Sequence, residues 1–479
     1  MGITGFYSWI HEKYGVCINT IKKPIFVNHI YIDLNYLLHM CTYNSSNTEE
    51  TIIKISTMIL DICSNYHALD TINICCDGSA PLAKLFLQRV RRLQEARSLY
   101  SNNNIKQDLK NSSLHFTPGS VFMSTLHEKL DFIKLKLEST LNVKVNINNL
   151  DSGEAEIKNK YLINKHIDEN PLSTHLLVTN DADVLLIISA TKIYQNMYVL
   201  LKHNNILCLK DLIKLHTENF GHSEYPQYPQ YDFAFLNMFN GNDYLPKLRY
   251  TTIDKLWESY KVKLRKFKSG LVLNKDSKTG RFQINQPFLL EILKSVIGKI
   301  PQQVMKKTRL FEYKYHEYTN YVDGIIWCFQ MYFEGRCNYN SYLYNSENAP
   351  DALLLMLHLM TYNINDHFNL DVSKPINNNL CSILLLPNIA RELIDKKYYE
   401  FMDKHKYLYE EELCEKCQEF YKTASSLNKV YKEGMCEDKN IKKQITNNQH
   451  AYESHRHIHM KLTPTIIEKI KKEYEVLYN

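Results

Sequence analysis

No apolar run in the chain approaches the roughly 18 residues that span a bilayer, so no membrane-crossing helix is expected. No secretory leader precedes its twelve cysteines, which therefore read as reduced thiols. Met1-Gly2 opens as a myristoylation signal would, but Phe6 stands where that signal wants Ser or Thr, so no myristoylation is expected. Internal repeats are missing as well. Net charge is small: a formal +6 from 58 basic and 52 acidic residues, a balance that points to no partner by itself. What remains is a 479-residue chain with an ordinary globular hydrophobic fraction of 44%. It exceeds one typical domain, so one large core or two closely packed lobes is expected.

Seven acidic residues stand at or near the ends of predicted strands or turns: Asp33, Asp77, Glu154, Glu156, Asp181, Asp183 and Asp243. Carboxylates at close range raise one another's pKa and resist burial, so a convergent set of them implies a cation. A site that cuts phosphodiesters with two hard cations roughly 4 Å apart needs about this many oxygen ligands. His29-Ile30-Tyr31-Ile32 reads as a buried strand delivering Asp33 at its end, before an amphipathic stretch from Leu34 to Tyr43. Asp77 ends a strand from Ile72 to Cys76 and precedes Gly78, a turn residue. Leu176-Leu177-Val178 leads into Asn180-Asp181-Ala182-Asp183, where an extended backbone would set both carboxylates on one face. Sites in open α/β sheets lie beyond the carboxyl ends of the strands, so three such strands would point at one crevice. Taken singly, each acid reads as a solvated loop residue or a helix cap; the set reads as a site.

Basic residues are patterned too. Lys84, Gln88, Arg91 and Arg92 fall at i, i+4, i+7 and i+8, one face of a helix. Arg offers phosphate a planar fork and Lys a point charge, so the face suits a phosphate group; its bland alternative is a solvated cationic surface. A second run, Lys261 to Lys268, reads as a solvated helix face, with tracking of a nucleic-acid backbone as the alternative.

The flanking text forms an ordered series. Met1 to Ile10 is followed by Tyr31-Ile32-Asp33-Leu34-Asn35 with His39, then by Asp77-Gly78-Ser79-Ala80-Pro81-Leu82-Ala83-Lys84 with Gln88-Arg89-Val90-Arg91-Arg92. Next come Thr117-Pro118-Gly119 with Phe122-Met123, Gly153-Glu154-Ala155-Glu156, Asp181-Ala182-Asp183, and Gly241-Asn242-Asp243-Tyr244-Leu245-Pro246. A later block runs from Tyr321-Val322-Asp323-Gly324 through Trp327 to Gly335 and on to Ala349-Pro350; Lys374-Pro375, Leu385-Leu386-Pro387 and Tyr398 extend it to about residue 405. This series resembles the XRN family of 5′→3′ exoribonucleases.

The resemblance implies an α/β fold, with a mixed, largely parallel central sheet flanked by helices (a PIN/FEN-like nuclease core) and a mostly helical second region. It implies hydrolysis of single-stranded 5′-monophosphate RNA to mononucleotides, with two Mg²⁺ or Mn²⁺ ions held by the seven acids. It assigns Lys84, Gln88, Arg91 and Arg92 to the 5′-phosphate, His39 to stacking on a nucleobase, and Tyr339 to a second aromatic platform. Expected partners are the RNA and decapping or other RNA-processing factors. The expected location is cytoplasmic (host cytoplasm or virion for a viral member), with the nucleus left open. Two other readings stay open: a flap-type, structure-specific DNA nuclease, and a catalytically inactive RNA-binding relative.

Departures from the family bear on these expectations. Tyr339 and Ser341 stand where relatives carry tryptophans after the glycine equivalent to Gly335, which alters base stacking there. No counterpart of the long C-terminal domains of cellular members is expected; the richness in Asn, Ile, Lys and Tyr suggests an AT-rich genome, and the short chain suggests a compact, viral version. The expected organisation is a catalytic region from 1 to 300, a mostly helical second region from 309 to 410, and a divergent helical tail from 411 to 479, whose removal from about residue 430 would spare catalysis. Cys414-Glu415-Lys416-Cys417 has zinc-knuckle spacing, with Cys436, His450, His455, His457 and His459 downstream, but no second pair at a recognisable interval. Two thiols on a helix turn is the favoured reading over zinc, and His455 to His459 reads as exposed polar sequence.

Overall fold

The computed structural model describes residues 5–20, 24–42, 48–100, 109–110, 112–148, 150–179, 181, 183–201, 204–218, 220, 226–275, 281–298, 314–344, 346, 348–366, 372–432, 438–455 and 462–478. Readings that rest on residues 1–4, Asn180, Ala182, Tyr225, Cys436, His457 and His459 lie outside them.

Seven strands form one sheet: β1 (Ile18–Thr20), β2 (Ile25–Asp33), β3 (Tyr66–Cys75), β4 (Lys144–Asn148), β5 (His175–Val178), β6 (Met197–Leu200) and β7 (Asn205–Cys208). Their order is β1-β7-β6-β5-β2-β3-β4. β6, β5, β2, β3 and β4 run parallel, and β7 and β1 add an antiparallel edge. After the edge strand β1 the chain crosses to β2, moves outward to β3 and β4, then returns to β5 on the other side of β2. The order thus reverses between β2 and β5, where open α/β sheets leave a crevice at the strand ends.

Alternation along the strands explains why both faces are covered. Ile30 and Ile32 of β2, with Leu176 and Val178 of β5, point to one side, and Tyr31 and Leu177 to the other. The helices of this half are α1 (Phe6–Tyr14), α2 (Leu34–Thr42), α3 (Thr48–Asn65), α4 (Leu82–Tyr100), α5 (Val121–Leu141), α6 (Ala155–Glu169) and α7 (Val184–Ser189). α2, α3 and α5 bury Leu37, Ile55, Ile59 and Leu130 on the Ile30 face; α1, α6 and α7 bury Phe6, Ile163 and Leu186 on the Tyr31 face.

Beyond β7 the chain is mostly helical: α8 (Leu209–Glu218), α9 (Pro229–Asn237), α10 (Ile253–Phe267), α11 (Gln286–Ile297), α12 (Tyr315–Glu334), α13 (Ala352–Leu359), α14 (Asn378–Leu385), α15 (Tyr399–Lys404), α16 (Glu415–Lys432), α17 (Lys439–Ser454) and α18 (Pro464–Tyr478). A small hairpin of β8 (Val272–Lys275) and β9 (Phe282–Ile284) lies between α10 and α11. The helices from α8 to α13 join the Tyr31-face core, which therefore runs from Phe6 to Ile364 across the boundary expected at 300 to 309. In the Lys261 to Lys268 run, Leu264 is buried, Lys263 pairs with Glu291 at 2.7 Å, and Val262, Arg265, Lys266 and Lys268 are exposed, as a solvated helix face would have them.

A third core explains how α4 is held. Leu82, Leu85 and Leu99 pack with Leu380 and Leu384 of α14, with Phe401 of α15, and with Ile467, Ile470 and Tyr474 of α18. Arg89 of α4 is buried and donates to the carbonyls of Leu384 and Leu408. The C-terminal segment is thus part of the support of α4, contrary to the expectation of a separable tail: α18 carries an apolar stripe at i, i+3 and i+7 that the third core buries.

Candidate active site

The crevice beyond the switch point collects the acids by a few local devices. β2 ends at Asp33, which is 7% exposed and accepts from the Thr179 hydroxyl at 3.1 Å and from the Tyr36 amide at 3.3 Å. Asp77 follows β3 and is clasped by Asn35, whose amide donates to Oδ2 at 2.9 Å while its oxygen accepts from the Asp77 backbone N–H at 3.0 Å. The other Asp77 oxygen accepts from the Ala155 amide at 2.8 Å, at the start of α6, so the helix N-terminus faces a carboxylate. Gly78 allows this approach: a Cβ there would collide with the backbone of Asp151 and Ser152.

Glu154 and Glu156 begin α6. Glu154 is buried, accepts from the Tyr244 hydroxyl, and pairs with Lys84. Lys84 also lies 3.8 Å from Glu156 and 3.1 Å from Asp243, and Arg91 donates to Asp243 at 2.9 Å. The cationic face of α4 is therefore driven into the acidic cluster rather than standing beside it. Burial works against the Lys84 ammonium, but Glu154, Glu156, Asp243 and Asp77 outweigh it and push its pKa well up.

The carboxyls feel the same crowding. Burial first, then the charge of Asp77, pushes Asp33 to about 7. Burial also raises Glu154, Glu156 and Asp181, against the pull of Lys84. Burial would raise Asp243 too, but Lys84 and Arg91 hold it below the usual carboxylate range. Such raised values mark carboxylates short of positive charge, and an all-oxygen donor set suits a hard divalent ion. Among the described residues no three carboxylates bring one oxygen each within 4.8 Å of one another, the Lys84 ammonium being held among them.

Asp183 departs from expectation. Its backbone is helical (φ −62°, ψ −28°) at the head of α7, not extended, so the alternation that would set it beside Asp181 does not apply. Its amide donates to Asp181 Oδ1 at 3.3 Å, and its charge is felt by Cys328 and Tyr332 of α12.

Of the remaining residues, Arg92 donates to the hydroxyls of Thr117 at 3.0 Å and Ser113 at 3.4 Å, and Gln88 Oε1 is buried without a hydrogen-bond partner. His39 is half-buried with the Phe116 ring edge-on at 5.4 Å, and its pKa is lowered by burial and by Arg92. Tyr339 packs half-buried against the large core, and its backbone forms a parallel β-bridge with Ser373. Sequence reasoning gave no role to Asn35, Thr179 or Tyr244, which orient the acids, nor to Lys158, which donates to the Cys76 carbonyl at 2.8 Å. Lys158 and Tyr244 line a cavity of about 330 Å³ with Glu154, Tyr161 and Arg336. A polar side chain one or two positions from a motif acid was the available signal for Asn35, Thr179 and Tyr244.

The sequence profile of the XRN 5′-3′ exonuclease N-terminus matches residues 1–203, the stretch that holds the sheet to β6 and six of the seven acids. Over residues 1–203 the chain is similar to the XRN family. The human 5′-3′ exoribonuclease 1 is 27% identical over 216 residues, covering 39% of this chain and 12% of that protein. The Schizosaccharomyces pombe 5′-3′ exoribonuclease 1 is 29% identical over 212 residues (39% and 16%), and the Saccharomyces cerevisiae one 24% over 326 residues (57% and 21%). The chain thus spans between 12% and 21% of these relatives' length. Among solved structures, the catalytic core of Rad2 in complex with a DNA substrate gives a TM-score of 0.31 at 13% identity, over 54% of this chain and 68% of that one. The T5 D15 protein co-crystallised with metal ions gives 0.30 at 12% identity, over 56% and 88%. Both are too distant to add to the XRN assignment.

Proposed function

We propose that this protein is a metal-dependent 5′→3′ exoribonuclease that takes single-stranded RNA by a 5′-monophosphate and releases mononucleotides. One observation carries the reading: α4 pins Lys84 and Arg91 against Asp243 beside Glu154 and Glu156, within electrostatic reach of Asp33, Asp77 and Asp181. An end-binding cationic face and a cation-seeking acidic site are thereby a few ångströms apart, which is what cutting the first phosphodiester from a held end requires. The likeness of residues 1–203 to the XRN N-terminus and the names of the relatives support the choice of RNA and of direction.

Mg²⁺ or Mn²⁺, two ions in all, would be held by Asp33, Asp77, Glu154, Glu156, Asp181, Asp183 and Asp243, and when bound they would activate water and steady the leaving 3′ oxygen. The chain's own groups do the rest. Asn35, Thr179 and Tyr244 fix the carboxylates, and Arg91 keeps further donors of its fork beside the one on Asp243. Arg92, set by Thr117 and Ser113, and Gln88 complete the proposed end pocket. His39 and Tyr339 are proposed as base platforms, where stacking is worth roughly 1 to 3 kcal/mol per base. The same reading puts the protein in the cytoplasm with decapping or other RNA-processing factors, which supply 5′-monophosphate ends.

The test uses one RNA sequence with 5′-monophosphate, 5′-hydroxyl and 5′-triphosphate ends, beside matched single-stranded and flap DNA. Monophosphate RNA should be degraded at least about tenfold faster than the others. Equal rates on all three RNA ends would remove the 5′ pocket; faster cutting of flap DNA would favour the flap-nuclease reading; tight RNA binding without metal-dependent turnover would make the chain a binding relative.

A further inference from the structure

We propose that Cys414, Cys417 and His455 form a zinc site that staples the α16–α17 hairpin. Their ligand atoms all lie within 4.8 Å of one another, although His455 is 38 residues beyond Cys417 in sequence. The spacing that sequence alone left incomplete is completed by the fold: α16 and α17 pack side by side, which returns the residue capping the end of α17 to the start of α16. His455 is half-buried there and not the exposed polar residue expected.

Geometry favours a metal over a chance meeting of thiols and imidazole. Cys414 Sγ and His455 Nε2 are 3.5 Å apart. A tetrahedral zinc with bonds of about 2.3 Å to sulfur and 2.0 to 2.1 Å to nitrogen sets that edge at about 3.6 Å. Cys417 is fully buried in the first turn of α16 and Cys414 precedes that helix, so the positive end of the helix favours both thiolates. The Phe420 ring lies 5.9 Å from that of His455, giving the site an apolar wall. Binding would displace one proton from each thiol to solvent and take His455 as neutral imidazole through Nε2.

The staple has a use. Further along the hairpin, Arg97 of α4 lies over the rings of Tyr421 and Tyr452, at 5.1 and 6.0 Å. The hairpin is therefore clamped onto the helix that carries Lys84 and Arg91, and a metal at its end would hold Tyr421 and Tyr452 at their spacing.

The full-length chain, expressed with added zinc and purified under reducing conditions, should carry about one zinc per chain by elemental analysis. Cys417→Ser and His455→Ala should each lose most of it. Because a buried Cys417→Ser change weakens packing anyway, the second measurement is thermal: a zinc-selective chelator, with Mg²⁺ present, should lower the melting temperature of the wild type and leave that of His455→Ala unchanged. A wild-type chain without stoichiometric zinc, zinc retained by His455→Ala, or an equal chelator effect on both proteins would overturn the site.

Discussion

At the scale of single residues, Lys84 dominates: a buried ammonium shared by Glu154, Glu156 and Asp243. The acids it leaves uncompensated give the first prediction. Asp181→Ala should abolish hydrolysis while RNA binding persists, and more than about a tenth of wild-type turnover would refute a ligand role, since tenfold is about 1.4 kcal/mol. A second concerns pH. Asp33, raised to about 7, keeps a proton that the unfolded chain has already lost, so its contribution to the stability of the metal-free protein is fully present below the ordinary Asp range and is lost as pH rises through 7. In a chelator the melting temperature should fall across that window, less steeply in Asp33→Asn, and Mg²⁺ should restore more stability at the upper end than at the lower; identical slopes in the two proteins would reject the assignment. Third, Arg91→Ala should cost roughly 1.5 to 3 kcal/mol on 5′-monophosphate RNA and spare 5′-hydroxyl RNA. Equal loss on both ends would make Arg91 a general backbone contact or a brace for Asp243.

At the scale of elements, helix and strand periods were legible where packing is local. The β2 and β5 runs and the i, i+4, i+7, i+8 face of α4 appear as the residues dictate. What that face meets was not legible, because Lys84 reaches Glu154 and Asp243 only through contacts 70 and 159 residues away. Asp183 misled for a related reason: alternation presumes an extended backbone, and the helix begins on it. The buried Arg89, on the other hand, is a stability element hidden within a basic motif. Replacing it by Met orphans two buried carbonyls, so the urea midpoint should fall by the equivalent of roughly 2 to 4 kcal/mol with 5′-end selectivity unchanged. Lost selectivity at full stability would show instead that Arg89 touches substrate.

The whole molecule is bound by a core that ignores the sequence boundaries. The motif series could place the acids, since each is marked by neighbours within a few residues, but burial shared between Phe6 and Ile364 leaves no local trace. A fragment ending at residue 300 should therefore lack cooperative unfolding and bind hydrophobic dye, whereas a sharp melting transition would show an independent lobe. The strand order adds a consequence in time. β2 is made early, yet its second edge stays open until His175 to Val178 pair with it, Asp243 comes later still, and α4 lacks its bracing until Ile467, Ile470 and Tyr474 arrive. A chain emerging from the ribosome thus carries its acids scattered along an unfinished thread. The crevice that gathers them is braced only once the residues up to Tyr474 have been made.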